Sequence, residues 1–379
     1  MTAWTLTCSG LTLSPSHLFP GAAPSSSQSS ATAQPTLTGT NLLLRITHAA
    51  LNPVDLHILR LFPHWLPFRR NPTPGFDFCG RIVAAGPAAV DSNAEFAVGD
   101  IVCGALGAGD VFWGGKGSLA EYLIVDSSLV AKKPKTWGGP GPNGQEGQEG
   151  QEVTGEEAVG LFGIAGQTAV LMVRTAGVAD DAEWKGKRCL VNGASGGVGS
   201  ILVQILKGKG AQEVWGTTGS EEGEELVRKC GGEVINYRTH HPITGHLGRL
   251  FGDMEDNNKK LDFIFDCAGS QEMFSHSPGY LKSEGKFISI VGGASQGVVP
   301  YIRNKLRPVW LGGTPREFHL LLLIPGTKTV REVGELIKEG VIERGVVDGV
   351  WEMEELVKAY ERLGSGRAKG KVVVRVSRG

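Results

Sequence analysis

The residues best suited to chemistry run from Asn192 to Gly199: Asn-Gly-Ala-Ser-Gly-Gly-Val-Gly. Gly193, Gly196, Gly197 and Gly199 permit a turn with little side-chain bulk. It lies between an apolar run (Cys189, Leu190, Val191) and a segment with Ile201, Leu202, Ile205 and Leu206 at helical spacing. A helix opening on such a turn aims unpaired N–H groups and the positive end of its dipole at one spot, which suits a pyrophosphate. Against the dinucleotide fingerprint G-x-G-x-x-G, Ala194, Gly196 and Gly199 fill the three places, with alanine for the first glycine. Ala194, Ser195, Gly196, Gly197 and Val198 are therefore the candidate phosphate cradle. A tight strand–helix turn in some other α/β protein is the competing reading.

The elements downstream favour the nucleotide. Residues 213–218 read as the next strand. Ser220 can then cap a helix with Glu221 and Glu222 in its first turn, Arg228 and Lys229 in its last, and Gly231 beyond. Further strands are expected over 234–237, 261–266 and 286–291, and strands alternating with helices build a doubly wound parallel sheet of the Rossmann kind. Ligands bind such sheets at the carboxyl ends of the strands, where Ala268 and Val291 stand. NAD-binding units usually end their second strand in a carboxylate for the ribose 2′-OH. Here that end is Gly216-Thr217-Thr218-Gly219-Ser220. Small hydroxyl residues such as Thr218 and Ser220 leave room for a 2′-phosphate and favour NADPH, although no Arg or Lys follows directly.

The remaining chain bounds the function. With 379 residues it can form two domains and a large core. Hydrophobic residues make up 41% and the net charge is -1, so nothing draws it to nucleic acid or an anionic membrane. The six cysteines are scattered, which points to a reducing compartment rather than to a disulfide framework or a C-x-x-C metal site. No run reaches membrane-spanning length and no basic residue precedes Arg45, so a cytoplasmic location is expected. Residues 14–39, rich in Ser, Ala, Pro and Thr, and residues 137–157, with Gly-Gln-Glu three times over, are expected as flexible loops. Between them, short alternating segments with Gly and Pro corners suggest a barrel-like β lobe.

Seven segments, in order, resemble the medium-chain dehydrogenase/reductase superfamily, in its zinc-independent quinone oxidoreductase-like (enoyl reductase-like) branch. They are Asn-Pro-Val-Asp at 52–55, Pro-Gly-Phe-Asp-Phe at 74–78, Gly-Asp at 99–100, Gly-Ser-Leu-Ala-Glu-Tyr at 117–122, Ala-Gly-Gln-Thr-Ala at 165–169, the glycine turn at 192–199, and Gly-Lys-Val-Val-Val at 370–374. The resemblance implies an α/β chain with a GroES-like catalytic lobe (1–157), a Rossmann NADP-binding domain (158–325) and a return to the first lobe (326–379). Zinc-dependent relatives carry Cys where this chain has Asn52 and His where it has Phe76. An apolar Phe76 cannot ligate, the structural four-cysteine cluster is missing, and nothing pairs His48, His57 or His64 with thiolates, so no metal is expected.

By resemblance, Thr168 lies beside the nicotinamide, or is an ordinary hydroxyl opening a helix over 168–176. Asn52 holds the carboxamide or a substrate carbonyl. His57 falls where many relatives have Tyr; it is either a proton donor or a pocket-wall histidine. Tyr237 flanks the adenosine phosphate, with Arg238 to supply positive charge, or is a plain strand-end tyrosine. Lys371 touches a cofactor phosphate or is merely an exposed lysine. Residues 61–70, with Phe62, Trp65 and Phe68, shape an apolar pocket or a packed loop. Without zinc the substrate must already accept hydride well: a small, apolar quinone or α,β-unsaturated carbonyl reduced by NADPH. The alternatives are a trans-acting enoyl reductase of a biosynthetic pathway and a non-catalytic NADPH-binding protein. A homodimer is expected by resemblance only.

Overall fold

The computed structural model describes residues 2–7, 10–15, 37–56, 73–89, 95–112, 114–139, 150–178, 181–252, 259–291, 304 and 307–378. His57, the aromatic stretch 61–70, Gly292 and Gly293 lie outside the described residues, as do 16–36 and 140–149 of the two expected loops.

A hairpin of β1 (Thr2–Thr7) and β2 (Gly10–Pro15) precedes the first lobe. Trp4 fastens it there, its indole N–H donating to Met353 O at 2.8 Å. The lobe is a mostly antiparallel sheet of β3 (Asn41–Leu51), β4 (Asp77–Ala85), β5 (Ile101–Ala105), β6 (Tyr122–Asp126) and β7 (Val130–Lys132). The spine is β3. Its first half pairs with β6, its whole length with β4, and its last residues with a strand from the far end of the chain. Alternation of apolar and polar residues along 42–47 holds this register: Leu42, Leu44 and Ile46 are fully buried while Arg45 is exposed.

The second lobe is a six-stranded parallel sheet of β8 (Arg188–Asn192), β9 (Glu213–Thr218), β10 (Glu233–Asn236), β11 (Leu261–Asp266), β12 (Leu281–Ser289) and β13 (Glu317–Leu320). Its order is β10-β9-β8-β11-β12-β13, which is the Rossmann order with the reversal between β8 and β11. The central strands β8 and β11 are buried almost throughout, so they read as largely apolar runs. Helix Gly197–Gly208 covers one face with Ile201, Leu202, Ile205 and Leu206; helix Ile243–Phe251 helps cover the other with Leu247 and Phe251. The chain then returns through β14 (Val347–Glu352), helix Leu356–Gly364 and β15 (Lys371–Arg375), and β15 pairs with β3.

The two lobes meet across one core. Helices Gly155–Phe162 and Ile164–Ala176 pack there with Gly197–Gly208 and Thr327–Lys338. The stretch 137–157 is less of a loop than expected. Trp137 is buried in this core, its main-chain N–H donates to Gln151 O at 2.9 Å, and Thr136 bridges to Glu152. Thr154 and Glu157 then form a capping box on helix Gly155–Phe162, so the boundary drawn at 157 falls inside a helix. Among the described residues no single helix is long and apolar enough to cross a membrane.

Candidate active site

The glycine turn lies where β8 gives way to helix Gly197–Gly208, beside the point of strand reversal. Gly193 takes φ +81°, a conformation L side chains rarely adopt. A methyl group built at Gly199 would lie 2.7 Å from Ala194 Cα, so the helix can approach the strand only with glycine there. The helix opens on Gly196 with no side-chain cap, leaving its first N–H groups without an intrahelical partner. This cradle, small-sided and lined by unpaired donors, fits a dinucleotide pyrophosphate.

A relay of buried polar groups holds the turn. The Gly193 N–H donates to Thr217 Oγ1 at 2.9 Å, Thr217 Oγ1 donates to Asn192 Oδ1 at 2.7 Å, and Asn192 Nδ2 donates to Asp266 Oδ1 at 2.8 Å. The Asp266 carboxylate also accepts from Ala268 N (3.2 Å), Gly269 N (2.8 Å), Ser270 N (3.0 Å) and Ser289 Oγ (3.2 Å). It therefore ties together the carboxyl ends of β8, β11 and β12, and through Thr217 that of β9. Ala268 abuts Gly193, and the Val291 N–H donates to Ser289 Oγ at 3.2 Å. In sequence, Asp266 shows only as one carboxylate ending a fully buried strand.

At the end of β9, Ser195 Oγ and Thr218 Oγ1 lie 3.1 Å apart, so the Thr218 hydroxyl turns inward to the glycine turn. Ser220 is a helix cap, accepting from Gly223 N at 3.2 Å. Tyr237 is 45% exposed and lies over Gly219, where a methyl group would collide with its ring. Arg238 is exposed, with its main-chain N–H on Asn236 Oδ1 at 2.9 Å. A second cation comes from the chain's far end. Glu222 is held below the ordinary carboxylate range by its own backbone N–H and the Ser220 hydroxyl, with the charge of Lys369 also contributing.

The other half of the site is assembled by the β lobe. Asn52 follows β3, Asp77 begins β4 and Lys371 begins β15; the sheet register sets Ala50 opposite Asp77 and Leu51 opposite Val372. Three residues far apart in sequence thus meet at one sheet end. Lys371 Nζ donates to Asn52 Oδ1 at 2.7 Å and to Asp77 Oδ2 at 3.0 Å, and Asn52 Nδ2 donates to Asp77 Oδ2 at 2.9 Å. Asp77 Oδ1 accepts the Ile164 N–H at 2.8 Å and so opens helix Ile164–Ala176. All three side chains are buried. Gly196 bridges to Gly370 and Gly370 N donates to Ser195 O at 3.0 Å, which locks this cluster to the glycine turn.

One of the expected assignments changes here. Lys371 is 5% exposed, so it is not a surface lysine. Its side chain crosses between Gly160 and Gly197, where methyl groups would lie 2.7 Å from Cγ and 2.9 Å from Cδ. Two of its three ammonium protons serve Asn52 and Asp77, and the third has no acceptor among the described residues. Asn52 is turned inward, its amide donating to Asp77 and accepting from Lys371, so it also orients that pair. Gly160→Ala is expected to cost about 1–3 kcal/mol by pressing on the Lys371 stem, read as a lower thermal unfolding midpoint; an unchanged midpoint would contradict this packing.

Thr168 is 5% exposed and sits one turn inside helix Ile164–Ala176 rather than opening it. Its neighbour Gln167, fully buried, fixes that helix by donating to Phe162 O (2.8 Å) and accepting from Thr329 Oγ1 (2.7 Å). At the positions where zinc relatives carry ligands stand Asn52 and the buried ring of Phe76, a donor set that does not fit catalytic zinc. His48 lies 3.2 Å from Glu156 instead, and burial holds it below the ordinary histidine range despite that carboxylate. No cluster of three or more His, Cys, Asp or Glu suited to a metal occurs among the described residues.

Residues 39–135 match the family model described as the alcohol dehydrogenase GroES-like domain, and residues 232–374 that described as zinc-binding dehydrogenase. The chain is 31% identical to the trans-enoyl reductase poxH of Penicillium oxalicum (strain 114-2 / CGMCC 5302), over 99% of this chain and 98% of that protein. It is 30% identical to the medium chain reductase pydE of Acremonium sp, over 89% and 90%. Its fold matches that of Escherichia coli quinone oxidoreductase complexed with NADPH, with a TM-score of 0.69 at 19% identity, over 99% of this chain and all of that one. The chain belongs to the medium-chain dehydrogenase/reductase superfamily of oxidoreductases.

Proposed function

We propose that the protein is a zinc-independent, NADPH-dependent reductase that transfers hydride to the conjugated double bond of an α,β-unsaturated carbonyl compound. The observation that carries this reading is the buried Asn52–Asp77–Lys371 cluster, joined to the glycine turn where a zinc enzyme would assemble its ligands. With no metal-ligand set to polarise an isolated carbonyl among the described residues, an acceptor activated by its own conjugation fits best. The nicotinamide of bound NADPH supplies the hydride. The chain supplies the rest: the first-turn N–H groups of helix Gly197–Gly208 and the Lys371 ammonium hold the phosphates, Thr218, Ser220 and Tyr237 flank the adenosine end, and Thr168 borders the ring. Hydride goes to the β carbon and a proton to the α carbon, from His57 or water.

The name of the trans-enoyl reductase at 31% identity supports the enoyl reading; the relative at 30% is named only as a medium chain reductase. Quinone reduction is the second reading, favoured by the fold match to quinone oxidoreductases. NADPH consumption with an α,β-unsaturated acyl thioester, phenanthrenequinone and a saturated aldehyde, with and without chelator, separates them. The enoyl reading expects fastest turnover with the thioester, unaffected by chelator. Faster quinone turnover moves the assignment to the second reading; loss on chelation overturns zinc independence, and binding without turnover of any acceptor leaves a non-catalytic NADPH-binding protein. We further propose a homodimer paired at the open edge of β13, beside which Leu322 and Ile324 are exposed; a measured mass of one chain would contradict it.

A further inference from the structure

One ionisable group in the cluster has no part in the hydride chemistry. Asn52, Pro53, Val54 and Asp55 are the first residues of a helix, with Asn52 at its cap. Asp55 Oδ2 accepts the Asn52 main-chain N–H at 2.7 Å, the return half of a capping box. The other oxygen, Oδ1, is buried with no hydrogen-bond partner among the described residues. Across from it, helix Leu356–Gly364 presents Tyr360, whose buried hydroxyl also lacks a partner there and whose phenol the Asp55 charge pushes up, after burial itself. The charged groups that act on Asp55 from the surrounding elements are Asp77 of β4 and Lys371 of β15. An ionised Asp55 therefore puts a second carboxylate against a single ammonium in a site cut off from water.

Taking the cluster as part of an NADPH site, we propose that Asp55 is a positioning residue whose proton sets the cluster's charge: neutral, it leaves Lys371 free to hold an anionic cofactor; ionised, it competes for Lys371 and weakens that hold. Burial pushes the Asp55 carboxyl up to about 7, with Asp77 adding to the rise and Asn52 N–H and Lys371 opposing it. Because the folded protein binds this proton more tightly than the unfolded chain, stability falls as pH rises from the ordinary carboxylate range to about 7, and is level above it.

The test is the dissociation constant of NADPH, read by fluorescence across about two pH units centred on 7, for the wild type, Asp55→Asn and Tyr360→Phe. NADH serves as the probe that lacks the titrating 2′-phosphate. One added negative charge acting on Lys371 predicts that wild-type affinity for both nucleotides falls about tenfold with rising pH. Asp55→Asn, which cannot ionise, is expected to hold the tight, low-pH affinity throughout. Tyr360→Phe keeps the carboxyl and is expected to keep the pH dependence. A merely structural Asp55 would leave the variant's curve parallel to the wild type's, and that result, or a flat wild-type curve, overturns the proposal. So does a flat Tyr360→Phe curve, since the titrating group would then not be the carboxyl. No NADPH binding at any pH would instead reject the cofactor reading itself. If Asp55→Asn fails to fold, carbon-13 NMR of aspartate carboxyls in the wild type decides: one must titrate near 7, and none doing so overturns the proposal.

Discussion

Lys371→Met is expected to destabilise the protein by about 3–5 kcal/mol, because it leaves the Asp77 charge buried without its ammonium partner. Asp77 is 0% exposed and sits between Asn52, Lys371 and the start of helix Ile164–Ala176, so its charge depends on these few donors. The double variant Lys371→Met/Asp77→Asn removes both charges and is expected to regain more than half of the loss. NADPH affinity should not return with it, since the donor facing the glycine turn is gone. Thermal or denaturant unfolding of the three proteins checks the first pair of statements. A single variant as stable as the wild type would mean that Lys371 and Asp77 are not a buried pair.

Gly199→Val is expected to abolish cofactor binding while leaving most of the fold. Even the first added carbon would lie 2.7 Å from Ala194 Cα, a backbone atom that cannot swing aside. Overpacking of this kind costs about 1–3 kcal/mol. The strain falls on the turn, where Gly193, Ala194 and Gly196 are fixed by Thr217 and by the bridge to Gly370. Displacing a positioned group by about 1 Å can cost on the order of a hundredfold in rate. Titration of NADPH fluorescence against a folded Gly199→Val protein is the check, and wild-type affinity would contradict the cradle.

The sequence exposed what is local and hid what the fold brings together from afar. The turn at 192–199 was legible because strand, glycines and helix are consecutive, and so was the parallel sheet, whose strands announce themselves as short buried apolar runs between turns. Helix Ile164–Ala176 starts one turn before the expected 168, because the Ile164 N–H is capped by Asp77, 87 residues away in sequence. Lys371 was singled out without its true partners, because Asn52 and Asp77 precede it by 319 and 294 residues and only the pairing of β15 with β3 unites them. Asp266 was missed for a like reason: a carboxylate at a strand end gives no hint of which neighbouring loops it will collect. The repeats of Gly-Gln-Glu drew attention to themselves, whereas buried Trp137 beside them fixes where that insertion begins.

Hydride transfer itself is tested most directly by isotope. NADPH deuterated at the transferable position of its nicotinamide, incubated with chelator-treated protein and an α,β-unsaturated acyl thioester, should yield a saturated product carrying deuterium on its β carbon and solvent hydrogen on its α carbon. A product without deuterium, or no product until zinc is restored, would contradict a metal-free reductase built on the glycine turn and the Asn52–Asp77–Lys371 cluster.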